Sequence, residues 1–134
     1  MTRTDAREFM MQTIFQMEAQ NIYKNDKETM DKYLENHNLS GQLNYAQNIY
    51  IHICENYGTI DELINKYSQG WTTTRMPKVD LAIARLSICE MLYSDDIPSA
   101  VSINEAVDLA KKYGDEDSHK YINAILGKIA GENE

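Results

Sequence analysis

The sequence predicts an all-α protein of about seven helices. Three observations carry that expectation: apolar residues recur at helical spacing, no stretch shows sustained period-two alternation, and the chain contains only two prolines and six glycines. At 134 residues the chain is long enough for one domain that buries about two-thirds of the surface its unfolded form exposes.

The first helix is expected to open at Asp5, with Glu8 three residues on as a capping box. Ala6, Phe9, Met10, Thr13, Ile14 and Met17 form its apolar face. A second helix covers roughly Asp26 to His37, with Met30, Tyr33, Leu34 and His37 inward. Ser40-Gly41 reads as a turn. A third helix runs from about Gln42 to Tyr57, carries Ala46, Ile49, Tyr50 and Ile53, and is closed by Gly58. Thr59 and Glu62 then cap a short fourth helix that stops at Gly70.

The second half starts at Trp71. Pro77 sits where a helix start tolerates a missing N–H. The helix from Lys78 to Tyr93 is apolar nearly all round, so it belongs in the middle of a bundle. Ser94 to Pro98 is a loop. Ser102 with Glu105 caps a helix ending at Tyr113-Gly114, and Asp115 or Asp117 starts the last one. The expected object is one domain, residues 1–134, built of two helical bundles (about 1–70 and 71–134) around or beside the central helix.

Composition excludes several classes of function. Thirteen basic against 21 acidic residues give a net charge of −8, and the isoelectric point near 4.8 argues against a stand-alone nucleic-acid binder. The charge is even, six basic and ten acidic groups in residues 1–70 and seven and eleven in 71–134, so neither half is a separable basic module. Two cysteines do not make a disulfide scaffold. The longest apolar stretch, Leu81 to Cys89, is interrupted by Arg85 and is too short to span a bilayer. The N-terminus has no signal-peptide core, so the expected location is the cytoplasm.

Catalytic constellations are weak. His37, His52 and His119 show no metal-type spacing with one another or with Cys54 and Cys89, which sit in apolar helical stretches. No phosphate loop, dinucleotide fingerprint or nucleophile elbow occurs. Asp115-Glu116-Asp117 reads as acidic residues at a helix start rather than as a cation site. The expectation is a protein with no enzymatic activity and no cofactor.

One run of residues is far more specific. Trp71…Arg75…Val79-Asp80…Ile83-Ala84-Arg85-Leu86…Glu90-Met91-Leu92 is followed by Ile97-Pro98…Val101 to Gly114, then by Asp117-Ser118-His119-Lys120-Tyr121-Ile122-Asn123…Leu126-Gly127-Lys128-Ile129-Ala130. Together with the Ala6-Arg7-Glu8 start, this order and spacing resembles the NusB family of transcription antitermination factors. The resemblance implies a fold of two roughly perpendicular helical bundles and a non-catalytic role. It implies binding of boxA-type single-stranded RNA in nascent ribosomal RNA transcripts together with the ribosomal protein NusE. With NusA, NusG and RNA polymerase, such a complex suppresses premature termination.

By the same resemblance, RNA contacts fall on Arg3, Arg7 and Phe15 near the N-terminus and on His119, Lys120 and Tyr121 at the last helix. Arg75 and Asp80 fall on the NusE face. The chain departs from the family pattern where Thr4 and Asp5 replace further arginines and where Leu81 follows Val79-Asp80. Three neutralised phosphates (at Arg3, Arg7 and Lys120) give a salt slope of only about −2 for single-stranded RNA. RNA affinity is therefore expected to depend on a basic partner, for which an acidic surface is an electrostatic match. The alternative is a helical interaction adaptor or homodimer with weakened RNA binding.

Taken on their own chemistry, these residues also have plainer roles. Arg3 and Arg7 are ordinary solvated helix-start residues. Phe15 and Tyr121 are candidates for the core, and Lys120 and Asp117 form a surface i, i+3 pair. Arg85 needs a partner, with Glu105 or Asp108 nearer to hand than Glu90. Trp71 is expected to wedge between helices, or to mark a partner surface if exposed.

Overall fold

The computed structural model describes residues 1–35 and 38–132 and is all-helical, with no strand among those residues. The helices are α1 (Arg3–Gln20), α2 (Lys27–Leu34), α3 (Leu43–Tyr67), α4 (Lys78–Tyr93), α5 (Ser99–Tyr113) and α6 (Ser118–Glu132). That makes six among the described residues, one fewer than expected. The expected third and fourth helices are one. The buried stripe of Ile49, Ile53, Ile60 and Ile64 runs unbroken through Gly58, which takes an ordinary helical conformation and faces open space. Continuous burial outweighs the roughly 1 kcal/mol that an interior glycine costs.

Helix starts differ from expectation in two places. α1 begins at Arg3, because the Thr2 hydroxyl accepts from the Asp5 N–H at 3.0 Å. Glu8 is thereby released from capping. α5 begins at Ser99, directly after Pro98, and Ser102 lies buried inside it, bonded to Ser87. α2 opens as expected on Asp26, which accepts from the Thr29 N–H at 2.8 Å. The expected end of that helix at His37 lies outside the described residues.

α4 matches the expected span and is the hub, packing on α1, α3, α5 and α6. Every residue from Asp80 to Glu90 is buried. Met10, Ile14 and Met17 of α1, Ile49 and Ile53 of α3, and Ile122, Leu126 and Ile129 of α6 complete the core. This arrangement puts the first turns of α4 and α6 side by side and lays α1 against α5. Gly114 allows the turn into α6, since a Cβ there would stand 2.6 Å from the Ser118 Cβ.

Candidate nucleic-acid and partner interface

Arg7 does not reach the surface. Its side chain is pulled inward between α4 and α5, leaving the residue 5% exposed. Nε donates to both Glu90 oxygens, at 2.9 and 3.2 Å, and Nη1 lies 3.4 Å from Glu105 Oε1. The Tyr45 hydroxyl also donates to Glu90. Burial works against the guanidinium charge, but the Glu90 hydrogen bonds and charge outweigh it and raise the Arg7 pKa. Arg7 thus supports the site from beneath instead of facing phosphate.

Arg85 is structural, as expected, with different partners. Its guanidinium forks onto Asp61 at 2.9 and 2.6 Å, and Nη1 donates to Glu18 at 2.9 Å and to the Tyr23 hydroxyl at 2.8 Å. Glu105, one partner expected for Arg85, pairs with Arg7.

The other N-terminal candidates stay at the surface. Arg3 donates from Nε to Gln42 Oε1 at 2.6 Å, and its guanidinium lies 4.3 Å from the centre of the Tyr45 ring. Phe15 is 38% exposed. Between them the start of α1 lies on the end of α5. Lys112 Nζ donates to both Glu8 oxygens at 2.9 Å, the Tyr113 hydroxyl donates to Glu8 at 2.6 Å, and Gln12 donates to that hydroxyl at 3.1 Å. These bonds hold the Glu8 carboxyl below its ordinary pKa. Lys111 is exposed beside them. The result is a strip along α1 and the last turn of α5 that carries Phe15, Lys111, Lys112 and Tyr113, with the Glu8 carboxylate paired inside it. Gln12, Lys111, Lys112 and Tyr113 were not sequence candidates, although Lys-Lys-Tyr next to a glycine was a visible basic and aromatic signal.

At the start of α6, Lys120 is exposed and sits 3.5 Å from Asp117, while His119 is half-buried. Tyr121 turns toward α4. Its hydroxyl donates to Asp80, as does the Ser118 hydroxyl at 3.0 Å, and its ring stacks on Trp71 with centroids 4.8 Å apart. Burial, followed by the Asp80 hydrogen bond, pushes the Tyr121 pKa up. Asp80 is only 1% exposed, so it forms a floor under the surface, and its Oδ1 has no hydrogen-bond partner. Above it opens a cleft of about 210 Å³ walled by Trp71, Tyr121 and the acidic run Asp115 to Asp117. Trp71 is 45% exposed, so it caps this cleft and is no wedge between helices. Arg75 is exposed nearby in sequence.

The NusB family model matches residues 4–131, which takes in nearly every helix just described. The chain belongs to the NusB family. The transcription antitermination protein NusB of Acetivibrio thermocellus is 43% identical over 131 residues, covering 96% of this chain and 88% of that protein. The NusB of Agathobacter rectalis is 40% identical over 136 residues, covering 97% of this chain and all of its own. A solved structure of T. maritima NusB superposes with a TM-score of 0.85 at 33% identity, over 98% of this chain and 92% of that one.

NusB proteins are non-enzymatic antitermination factors, and this chain is no enzyme. Cys54 and Cys89 are free and buried, and burial raises both thiols, so neither is a poised nucleophile. Among the described residues no group of three His, Cys, Asp or Glu side chains is placed to hold a metal ion. No helix among them is long and apolar enough to cross a membrane.

Proposed function

We propose that this NusB-family chain is a cytoplasmic antitermination factor that binds boxA-type single-stranded RNA of nascent ribosomal RNA transcripts jointly with NusE. In this reading the pair acts with NusA, NusG and RNA polymerase to suppress premature termination. Its two bundles, about residues 1–70 and 71–134, carry one binding face between them.

The observation that carries the reading is the adjacency of two chemically opposite surfaces. The strip offers Lys111 and Lys112 for phosphates, with Phe15 and Tyr113 as rings for splayed bases, and Arg3 lies at the far end of α1. Lys120 and His119 extend it onto α6, and Arg7 fixes α1 from below. The cleft over Asp80 is acidic and aromatic, which suits a basic protein side chain and repels phosphate. Tyr121 walls that cleft with its ring stacked on Trp71, between the acidic floor and the exposed Lys120 of its own helix, and Arg75 lies on the partner side. Three phosphate contacts, by Lys111, Lys112 and Lys120, give a salt slope of about −2, which leaves tight binding to depend on the basic partner.

The exposed Trp71 ring and the net charge of −8 also favour a second reading, an adaptor or self-associating subunit with little RNA affinity. Binding of a boxA-type RNA to this chain alone, to NusE alone and to the pair, across a salt series, separates the two. Synergy in the pair supports the joint grip. RNA affinity in the pair equal to that of NusE alone would leave only the adaptor.

A further inference from the structure

We propose a pocket for a single nucleobase carrying an exocyclic amine, guanine above all, at the N-terminal end of α1, about 18 Å along the helix from Phe15. It rests on the RNA-binding reading and extends it past the strip. A groove of about 430 Å³ opens there between Arg3, the start of α3 and the turn from Ser94 to Ile97. That size falls within the roughly 300–1,000 Å³ of clefts that take small planar ligands.

Two features define the occupant. Arg3 is held on two sides, its Nε donating to Gln42 Oε1 at 2.6 Å and its guanidinium lying 4.3 Å from the centre of the Tyr45 ring. The guanidinium face turned away from Tyr45 offers a flat shelf, and bases stack on such planes. The polar groups around the shelf are uncommitted. Asn44, Asp95 and Asp96 are exposed and line the groove, and their side chains make no hydrogen bond or ion pair among the described residues. Asn48, one turn beyond Asn44 on the same face of α3, donates to the Ser94 hydroxyl at 3.2 Å and keeps its carbonyl free.

Charge then selects among ligands. Two carboxylates against one guanidinium repel a phosphate, and a lysine or arginine head would face Arg3. An uncharged ring rich in N–H donors satisfies both sides. Guanine presents N1–H and its 2-amino group together, matching the two oxygens of one carboxylate, while the asparagine amides meet its remaining edge. Uracil has no such paired donors. The sugar and phosphate of that nucleotide then lead toward the cations of the strip.

The test is fluorescence anisotropy on the full chain with its basic partner saturating. The probes are a 12-mer oligouridine, the same 12-mer with one central guanosine, and one with inosine, which lacks the 2-amino group. Guanosine should tighten binding about tenfold over oligouridine, with inosine between. The preference should vanish in Asp95→Asn/Asp96→Asn and in Asn44→Ala/Asn48→Ala, with oligouridine affinity unchanged. Equal affinity for the three probes overturns the pocket. So does equal tightening of all three by Asp95→Asn/Asp96→Asn, since the carboxylates would then only repel the backbone. Failure of the underlying reading looks different: Lys112→Glu would leave binding of every probe untouched.

Discussion

The Arg7 guanidinium is buried against Glu90, a residue 83 positions away, with Nε 2.9 Å from Oε2. This contact ties the first helix to the central one and turns the Arg7 guanidinium away from solvent. The chain therefore presents one N-terminal arginine to solvent, Arg3, and in the proposed RNA-binding role that makes a cationic companion more necessary.

Arg7→Ala should destabilise the fold by about 3–5 kcal/mol, because it leaves the Glu90 charge 1% exposed with no counter-ion. Urea denaturation measures this. Arg7→Met/Glu90→Gln should recover most of the loss, since it removes both charges and keeps an acceptor for the Tyr45 hydroxyl. RNA affinity of the folded fraction should hardly change. A loss of affinity at full stability would place Arg7 back on the binding surface.

Lys112→Glu makes the opposite separation. Its pair with Glu8 is solvent-exposed on the lysine side, where water and salt screen it. Thermal stability should barely move, while RNA binding with the partner weakens and the salt slope falls in magnitude by about 0.7. Equal slopes for the two proteins would remove Lys112 from the phosphate path.

What the sequence shows and hides is plain at these residues. α4 was legible because eleven consecutive buried positions leave a nearly all-apolar string. Gly58 misled, since a glycine after a periodic stretch looks the same whether it ends a helix or lies on its open face. Only the burial of Ile60 and Ile64 decides it. Arg7 and Arg85 misled because the sequence does not say which helices face each other: Arg7 reads as solvated or RNA-facing, and Arg85 as pairing with Glu105 or Asp108. Their real partners, Glu90 and Asp61, are brought near by packing of separate helices. The Glu8, Lys112 and Tyr113 cluster was hidden for the same reason, its members lying more than a hundred positions apart.

Tyr121→Phe and Tyr121→Ala should differ in kind. Phenylalanine keeps the ring against Trp71 and loses the hydroxyl on Asp80, costing about 1 kcal/mol of stability. Its partner affinity should stay near that of the parent chain. Alanine removes the wall of the cleft and should weaken partner binding at least tenfold in calorimetric titration, as should Trp71→Ala. Partner affinity unaffected by both alanine variants would mean the cleft is no docking site.

Acid should loosen the junction of α1, α3 and α4 through Glu18. Burial raises its pKa, but the hydrogen bonds from Tyr23 and Arg85 and the Arg85 charge outweigh that and hold it below the ordinary value. A folded-state pKa below the unfolded one of about 4.3 gives stability that is present above that pH. It is lost as pH falls through the folded value. Glu18→Gln should therefore lower stability at pH 7 and flatten its decline below about pH 4, read from urea midpoints at each pH. A parallel acid decline in both proteins would show that Glu18 carries no share of it.

Gly58→Ala should stabilise the protein by about 0.5–1 kcal/mol. The residue sits in mid-helix with helical dihedrals, and a Cβ there meets nothing within 4 Å. Gly114→Ala should do the reverse, since its Cβ would press on the Ser118 Cβ at 2.6 Å and on the Ala110 carbonyl oxygen at 2.8 Å. Ser118 also holds Asp80, so the strain at Gly114 should reach the cleft and reduce partner affinity, which Gly58→Ala leaves alone. Melting temperatures and partner titrations of the two variants check both halves. A Gly58→Ala protein less stable than its parent would mean that the helix breaks at residue 58 in solution and that α3 is two helices after all.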